Sequence, residues 1–183
     1  NKDGLICFPY DIIDKEILDS AKKLKSISTY SVGFDHIDVN YAKKRKITIG
    51  YTPDVLTNAT AELTIGLMMD LLRRITEGDN IIRKGKWNEI FGPFDYVGTE
   101  ISGKIIGILG MGRIGKTVAK KASCLGMHVL YHNRKPITKT GKAKYVSLNE
   151  LFKKSDVISI HVPYSKNTHH MINSKLLNKM KKS

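Results

Sequence analysis

One segment restricts the fold of this chain more than any other. The apolar run Lys104-Ile105-Ile106-Gly107-Ile108-Leu109 leads straight into Gly110-Met111-Gly112-Arg113-Ile114-Gly115, which opens a helix-forming stretch. Strand, glycine turn and helix in that order are what a dinucleotide phosphate site requires. The first glycine makes the tight turn, the second admits the pyrophosphate to the backbone, and the third lets helix and strand pack closely. Unpaired N–H groups at the helix start then hold the anion. The surrounding sequence agrees: a helix is predicted from about Arg113 to Leu125, Gly126 stands where a C-terminal stop belongs, and Met127 to Tyr131 reads as the next strand.

The residues after that second strand bear on which dinucleotide fits. An NAD site places an acidic side chain about 20 residues past the motif, where it accepts hydrogen bonds from the ribose hydroxyls. Here that place holds Asn133, followed by Arg134 and Lys135, and no Asp or Glu occurs from Gly110 to Asn149. No carboxylate in the unit can repel a 2′-phosphate, and Arg134 offers it a forked, permanently charged donor. NADP(H) is therefore expected in preference to NAD(H). The bland reading is that Arg134 and Lys135 are ordinary solvated charges in a basic chain.

Length and charge set the remaining bounds. The 183 residues suffice for one medium domain or parts of two. The formal net charge of +14 comes mainly from dispersed lysine, 25 Lys against 6 Arg. The basic clusters Lys43 to Lys46 and Lys179 to Lys182 fall at expected helix ends, with neither a groove helix nor a stacking platform beside them. That pattern reads as solvated surface rather than a nucleic-acid face, and its potential also attracts anionic ligands. No apolar run approaches the roughly 18 residues of a membrane helix, and the polar start lacks a signal core. A soluble, cytoplasmic protein is expected, with Cys7 and Cys124 as buried, reduced thiols.

Along the chain, Leu5 to Phe8, Ser26 to Tyr30 and Ile47 to Ile49 read as strands alternating with helices capped by Asp14 and begun at Asp38. That alternation implies a small parallel sheet. Thr57 or Asn58 caps a long helix running to about Ile82, with Glu62 in its first turn. Its middle, Leu63 to Leu72, is apolar on nearly every side, which predicts burial between layers, domains or subunits. Arg83 to Gly98, irregular and carrying Trp87, Phe91, Phe94 and Tyr96, marks a domain boundary, dividing residues 1–98 from 99–183. Ser147-Leu148-Asn149-Glu150 matches a capping box, Val157 to Val162 is a buried strand, and Asn173 or Ser174 starts a final helix.

Several of these stretches together resemble the D-isomer-specific 2-hydroxyacid dehydrogenase family, with glyoxylate/hydroxypyruvate reductase as the nearest branch. They are Tyr30-Ser31-Val32-Gly33-Phe34-Asp35-His36-Ile37-Asp38, Thr52-Pro53-Asp54-Val55-Leu56-Thr57, Ala59-Thr60-Ala61-Glu62-Leu63, the glycine motif, and His161-Val162-Pro163 with Thr168 and Ile172-Asn173. The resemblance implies an α/β protein of two doubly wound parallel-sheet domains, a flavodoxin-like substrate domain and a Rossmann NAD(P)-binding domain, both incomplete here, with the active site in the cleft between them. It implies that the N–H groups around Val32 and Gly33 bind the carboxylate of a 2-oxo acid, although Gly33 also reads as a simple turn glycine. It places Gly110, Gly112, Arg113, Ile114 and Gly115 at the pyrophosphate, Asn133, Arg134 and neighbouring Lys135 at the ribose end, and Val162, Pro163 and Thr168 along the cofactor's flank. The long apolar helix is expected in a homodimer interface.

Reduction of a 2-oxo acid also needs a cation on the carboxylate and carbonyl and an acid for the new alkoxide. In the family an Arg and a His paired with a Glu serve these roles, and all three are expected after Ser183. None of the six histidines takes the acid's position, and His169-His170 lacks a third partner at metal spacing. No catalytic residue and no metal ligand is assigned within the chain, which reads as an inactive fragment. Two other readings stand beside this one: another D-2-hydroxyacid dehydrogenase such as phosphoglycerate dehydrogenase, and a non-catalytic, dinucleotide-sensing corepressor-like protein.

Overall fold

The computed structural model describes residues 2–89 and 92–182. They pack as two compact units, Asn1–Leu56 with Pro163–His169, and Thr57–Val162 with His170–Ser183.

In the first unit, β1 (Gly4–Cys7), α1 (Lys15–Ser20), β2 (Ser26–Thr29), α2 (Val39–Lys44) and β3 (Thr48–Gly50) alternate along the chain. The three strands are parallel in the order β1-β2-β3, with Leu5, Ile27 and Ile49 in register. Both helices start where the sequence offers a side-chain acceptor. Asp14 Oδ1 accepts the Ile17 N–H at 3.0 Å, and Asp38 Oδ1 accepts that of Tyr41 at 2.9 Å. Cys7, Leu18, Ile27, Ile37, Ala42 and Ile47 fill the core.

The second unit begins with α3 (Thr57–Arg73) and α4 (Ile75–Arg83), followed by a 3₁₀ turn at Trp87–Glu89. Then come β4 (Ile105–Leu109), α5 (Arg113–Cys124), β5 (His128–His132), β6 (Lys144–Tyr145), α6 (Leu148–Lys154), β7 (Val157–Ile160) and α7 (Ser174–Leu177). Its parallel sheet has the order β6-β5-β4-β7, so the chain reverses direction of travel across the sheet beside β4. β4 is covered on both faces. Ile106 and Ile108 join the core containing Val118 and Ala122 of α5, while Leu109 packs with Leu151 and Phe152 of α6. A strand buried on both sides needs an unbroken apolar sequence, and Ile105 to Leu109 supplies one.

The single long helix expected through Ile82 is broken. Arg74 adopts the left-handed conformation (φ 56°, ψ 38°) between α3 and α4. The Leu72 carbonyl freed there accepts the Thr99 N–H at 2.7 Å, while the Arg74 carbonyl keeps a helical bond from the Gly78 N–H at 3.0 Å and takes the Tyr96 hydroxyl as well. Asp70 restarts the helix by accepting from the Thr76 N–H at 2.6 Å and from its hydroxyl at 2.9 Å. Glu62 lies beyond the first turn of α3, where it takes an Asn58 amide N–H at 3.0 Å and pairs with Lys121 at 3.1 Å. Nor is the helix covered all round within this chain. Ala61 and Met68 are buried, whereas Leu63, Leu67 and Leu71 are 63%, 61% and 70% exposed in one row. Because α3 packs on α5, the compact units part at Leu56, ahead of the aromatic segment Arg83 to Gly98. Of that segment, Phe91 lies outside the described residues. Cys7 is buried as expected but Cys124 is exposed, and no pairing between them is present.

The capping box at α6 is complete: Ser147 Oγ accepts the Glu150 N–H at 3.2 Å, and Glu150 Oε2 accepts that of Ser147 at 3.2 Å. Lys154, together with the backbone and hydroxyl of Ser147, holds the Glu150 carboxyl down to about 2. A lowered carboxyl stabilises the fold above its ordinary value of 4.5, and that contribution fades as pH falls toward 2. Thermal unfolding followed against pH should therefore show a smaller loss over this acid range for Glu150→Gln than for the unsubstituted protein. Ser147→Ala should lower stability by about 1 kcal/mol at neutral pH, the usual cost of a lost helix cap.

Candidate functional site

The glycine motif sits between the end of β4 and the start of α5, and each glycine has its own spatial reason. Gly110 has φ +98°, and a Cβ there would lie 2.7 Å from the carbonyl carbon and oxygen of His161 and 3.0 Å from Val162. At Gly115 a Cβ would overlap the Gly110 carbonyl oxygen and press on Ile108 at 3.1 Å. Around Gly112 nothing stands within 4 Å of that position, which leaves the backbone open. Gly112 is also the N-cap of α5 and brings no side-chain acceptor to it. Among the described residues, the N–H groups of Gly112, Ile114 and Gly115 have no protein acceptor. Two tight glycines that close the turn and one open glycine at a twelve-residue helix start form a cradle suited to a phosphate.

The ribose-end residues divide their work. Asn133 Oδ1 accepts the Met111 N–H at 2.7 Å, and Gly110 N–H donates to the His132 carbonyl at 3.0 Å. Asn133 thus latches the glycine turn to the end of β5, which its spacing alone did not reveal. A backbone N–H can only donate, so the amide oxygen faces Met111 and the Asn133 NH₂ remains as a donor. Arg134 and Lys135 beside it are exposed and have no partner among the described residues. Tyr145 of β6, a strand too short for the sequence reading to find, packs edge-on against Tyr131 and donates its hydroxyl to the Asn133 carbonyl at 3.4 Å. The acid-free stretch from Gly110 to Asn149 therefore presents donors and cations at this end. His161, below the turn, donates its backbone N–H to Leu109 at 2.7 Å, its ring lies 2.8 Å from Ser159 Oγ, and burial lowers its pKa.

Of the expected cofactor residues, Gly110 to Gly115, Asn133, Arg134, Lys135 and Val162 fall in the second unit, while Pro163 and Thr168 fall in the first. Thr168 closes a local turn: its hydroxyl accepts the Ser165 N–H at 2.8 Å and donates to the Pro163 carbonyl at 2.7 Å.

The other candidate residues, Val32 and Gly33, follow β2 in the first unit and are exposed. Neither N–H has a protein acceptor among the described residues. Behind them stand side chains that sequence reasoning passed over. Thr29 Oγ1 lies 2.8 Å from Ser31 Oγ and 2.9 Å from His36 Nε2, and Ser31 Oγ donates to the Gly33 carbonyl at 2.5 Å. The alternation Thr29-x-Ser31-x-Gly33 was the available signal, since strand residues two apart share a face. No group of three or more His, Cys, Asp or Glu suited to a metal occurs among the described residues.

The Gly115 contact predicts its own substitution. Gly115→Ala must push α5 away from β4, so dinucleotide binding should fall at least tenfold in a fluorescence titration. Gly112→Ala meets open space and should leave the fold's thermal stability nearly unchanged while obstructing the anion.

Comparison with known proteins places this geometry. The family model described as D-isomer specific 2-hydroxyacid dehydrogenase, NAD binding domain, matches residues 65–183. A glyoxylate reductase of Thermofilum pendens is 47% identical over 100% of this chain and 55% of its own length. One from Thermococcus litoralis is 44% identical over 98% of this chain and 56% of its own. Among solved structures, D-lactate dehydrogenase from Aquifex aeolicus, complexed with NAD and lactic acid, superposes with a TM-score of 0.92 at 36% identity, over 99% of this chain and 54% of that one. The chain thus spans about half the length of the relatives it matches. With its glycine cradle and parallel sheet intact across that span, the chain belongs to the D-isomer-specific 2-hydroxyacid dehydrogenases.

Proposed function

We propose that the protein containing this chain reduces glyoxylate, hydroxypyruvate or a similar small 2-oxo acid to the 2-hydroxy acid, with NADPH preferred to NADH. The observation that carries the cofactor preference is the ribose end, where the Asn133 amide and the exposed Arg134 and Lys135 stand with no carboxylate from Gly110 to Asn149. Donors and cations suit a 2′-phosphate, which only accepts hydrogen bonds. The bound nicotinamide supplies the hydride. The chain's own groups bind and orient: the helix start at Gly112 to Gly115 holds the pyrophosphate, and the Val32 and Gly33 N–H groups hold the substrate carboxylate. Val162, Pro163 and Thr168 border the cofactor. Similarity to two glyoxylate reductases supports the substrate class.

In this reading, residues 1–98 contribute the substrate domain and residues 99–183 the cofactor domain, and the proton donor is not among the chain's side chains. The 183 residues should then bind NADPH yet fail to consume it with glyoxylate. Sustained loss of NADPH absorbance would reject that assignment. We further propose that a second copy of the protein covers Leu63, Leu67 and Leu71, an exposed leucine row on α3 that is costly to leave in water. Leu67→Asp should shift the sedimenting species toward monomer. The unpaired thiols suit a cytoplasmic setting.

Cofactor choice has a direct test. Asn133→Asp with Arg134→Ala keeps an acceptor for Met111 but removes the donor and the fork. The ratio of NADPH to NADH affinity should fall by about 100-fold, as expected for losing two charge-assisted hydrogen bonds. An unchanged ratio rejects NADPH preference.

A further inference from the structure

We infer that His36, Thr29 and Ser31 form a one-way hydrogen-bond relay that positions the Val32-Gly33 anion loop. The inference deepens the proposed function, because it rests on that loop taking the substrate carboxylate.

The direction follows from counting protons. A carbonyl oxygen only accepts, so the single hydroxyl proton of Ser31 goes to Gly33 at 2.5 Å. Ser31 Oγ must then accept from Thr29 at 2.8 Å, which uses the Thr29 proton. Thr29 Oγ1 in turn must accept from His36 Nε2 at 2.9 Å. The imidazole is thereby fixed with its proton on Nε2. Cys7 Sγ, 3.9 Å from the same nitrogen, is a longer second acceptor for it. Thr29 is 1% exposed and cannot exchange these partners for bulk water.

The base of the relay is anchored in the sheet region. The His36 carbonyl accepts the Ile13 N–H at 2.8 Å, and Ile37 pairs with Ile13 as an isolated bridge. Its far end holds one side of the anion loop. The other side is held separately, since the Ser31 carbonyl accepts both the N–H and the hydroxyl of Thr52, each at 3.0 Å. Peptide units are planar, so fixing a carbonyl fixes the N–H across the same bond. Thr52 sets the plane carrying the Val32 N–H, and the relay sets the plane after Gly33. The Gly33 N–H lies in the peptide between these two fixed planes. Two free donors held in this way lose little freedom when an anion arrives.

Thr29, Ser31 and His36 are thus positioning residues, since none of the three is assigned contact with the substrate. The test is nitrogen NMR on the 183-residue protein with glyoxylate as probe. At mildly alkaline pH the His36 ring should show its proton on Nε2. Glyoxylate should shift the Gly33 amide resonance, and Thr29→Val, similar in volume, should weaken that binding about five- to tenfold, the worth of one hydrogen bond in the relay. Thr29→Ser should restore it, which simple loss of packing at Thr29 would not predict. Dinucleotide binding should be equal in all three proteins. A proton on Nδ1 instead, or unchanged glyoxylate affinity in Thr29→Val, overturns the relay while leaving the carboxylate site in place. A Gly33 amide unmoved by glyoxylate in the unsubstituted protein removes the carboxylate site, and the relay's purpose with it.

Discussion

The second unit depends on how closely α5 approaches the end of β4. Gly115 has room for a hydrogen and no more against the Gly110 carbonyl, and Gly110 is pressed in the same way on His161. These contacts fix where the helix begins. What can hold an anion there is a consequence: among the described residues the N–H groups of Gly112, Ile114 and Gly115 are left without protein acceptors, because the glycine at the N-cap brings no capping side chain. Packing and ligand chemistry are one constraint here. A side chain that filled the turn would both separate the layers and occupy the space proposed for a phosphate.

Much of this arrangement was legible in the sequence, because it is written in local rules. The glycine turn, the caps Asp14, Asp38 and Ser147, and the stop at Gly126 each act within a few residues, and each occurs where its residue type predicts. The break at Arg74 was not legible. Nothing in Leu71-Leu72-Arg73-Arg74 stops a helix by propensity. The left-handed residue persists because Thr99, more than twenty residues on, occupies the Leu72 carbonyl that a continued helix would have used, and Tyr96 adds its hydroxyl to the Arg74 carbonyl. The same limit hid β6, which has two residues and exists because β5 offers an edge for Lys144 and Tyr145 to pair with. The candidate site divides likewise. The Gly110–Gly115 cradle could be read directly, whereas the Asn133 latch and the side chains behind Gly33 depend on contacts made through the fold.

The two loops proposed to bind anions obey the same logic with different means. In the second unit, exposed donors come from a helix start, and a side-chain amide reaches across from β5 to hold the turn. The first unit has no helix at Gly33, so the donors are oriented by hydroxyls and an imidazole behind the loop. In both, a polar side chain is used on the protein's own backbone, and among the described residues nearby backbone N–H groups are left without protein acceptors.

That division bears on residue 133. A carboxylate at this position could accept the Met111 N–H as Asn133 does, so the latch alone does not require an amide. What differs is the atom left over. With Oδ1 committed at 2.7 Å, asparagine has two N–H bonds to offer, and aspartate would have a charged acceptor. Ribose hydroxyls can donate to such an acceptor; a 2′-phosphate cannot, and is repelled by it. The choice of amide over acid thus carries no cost to the turn, and under the proposed cofactor preference it would act on the nucleotide in the same sense as Arg134 and Lys135 beside it. The proposed preference gives three adjacent residues one electrostatic sense, whereas the surplus of lysine elsewhere does not account for Asn133.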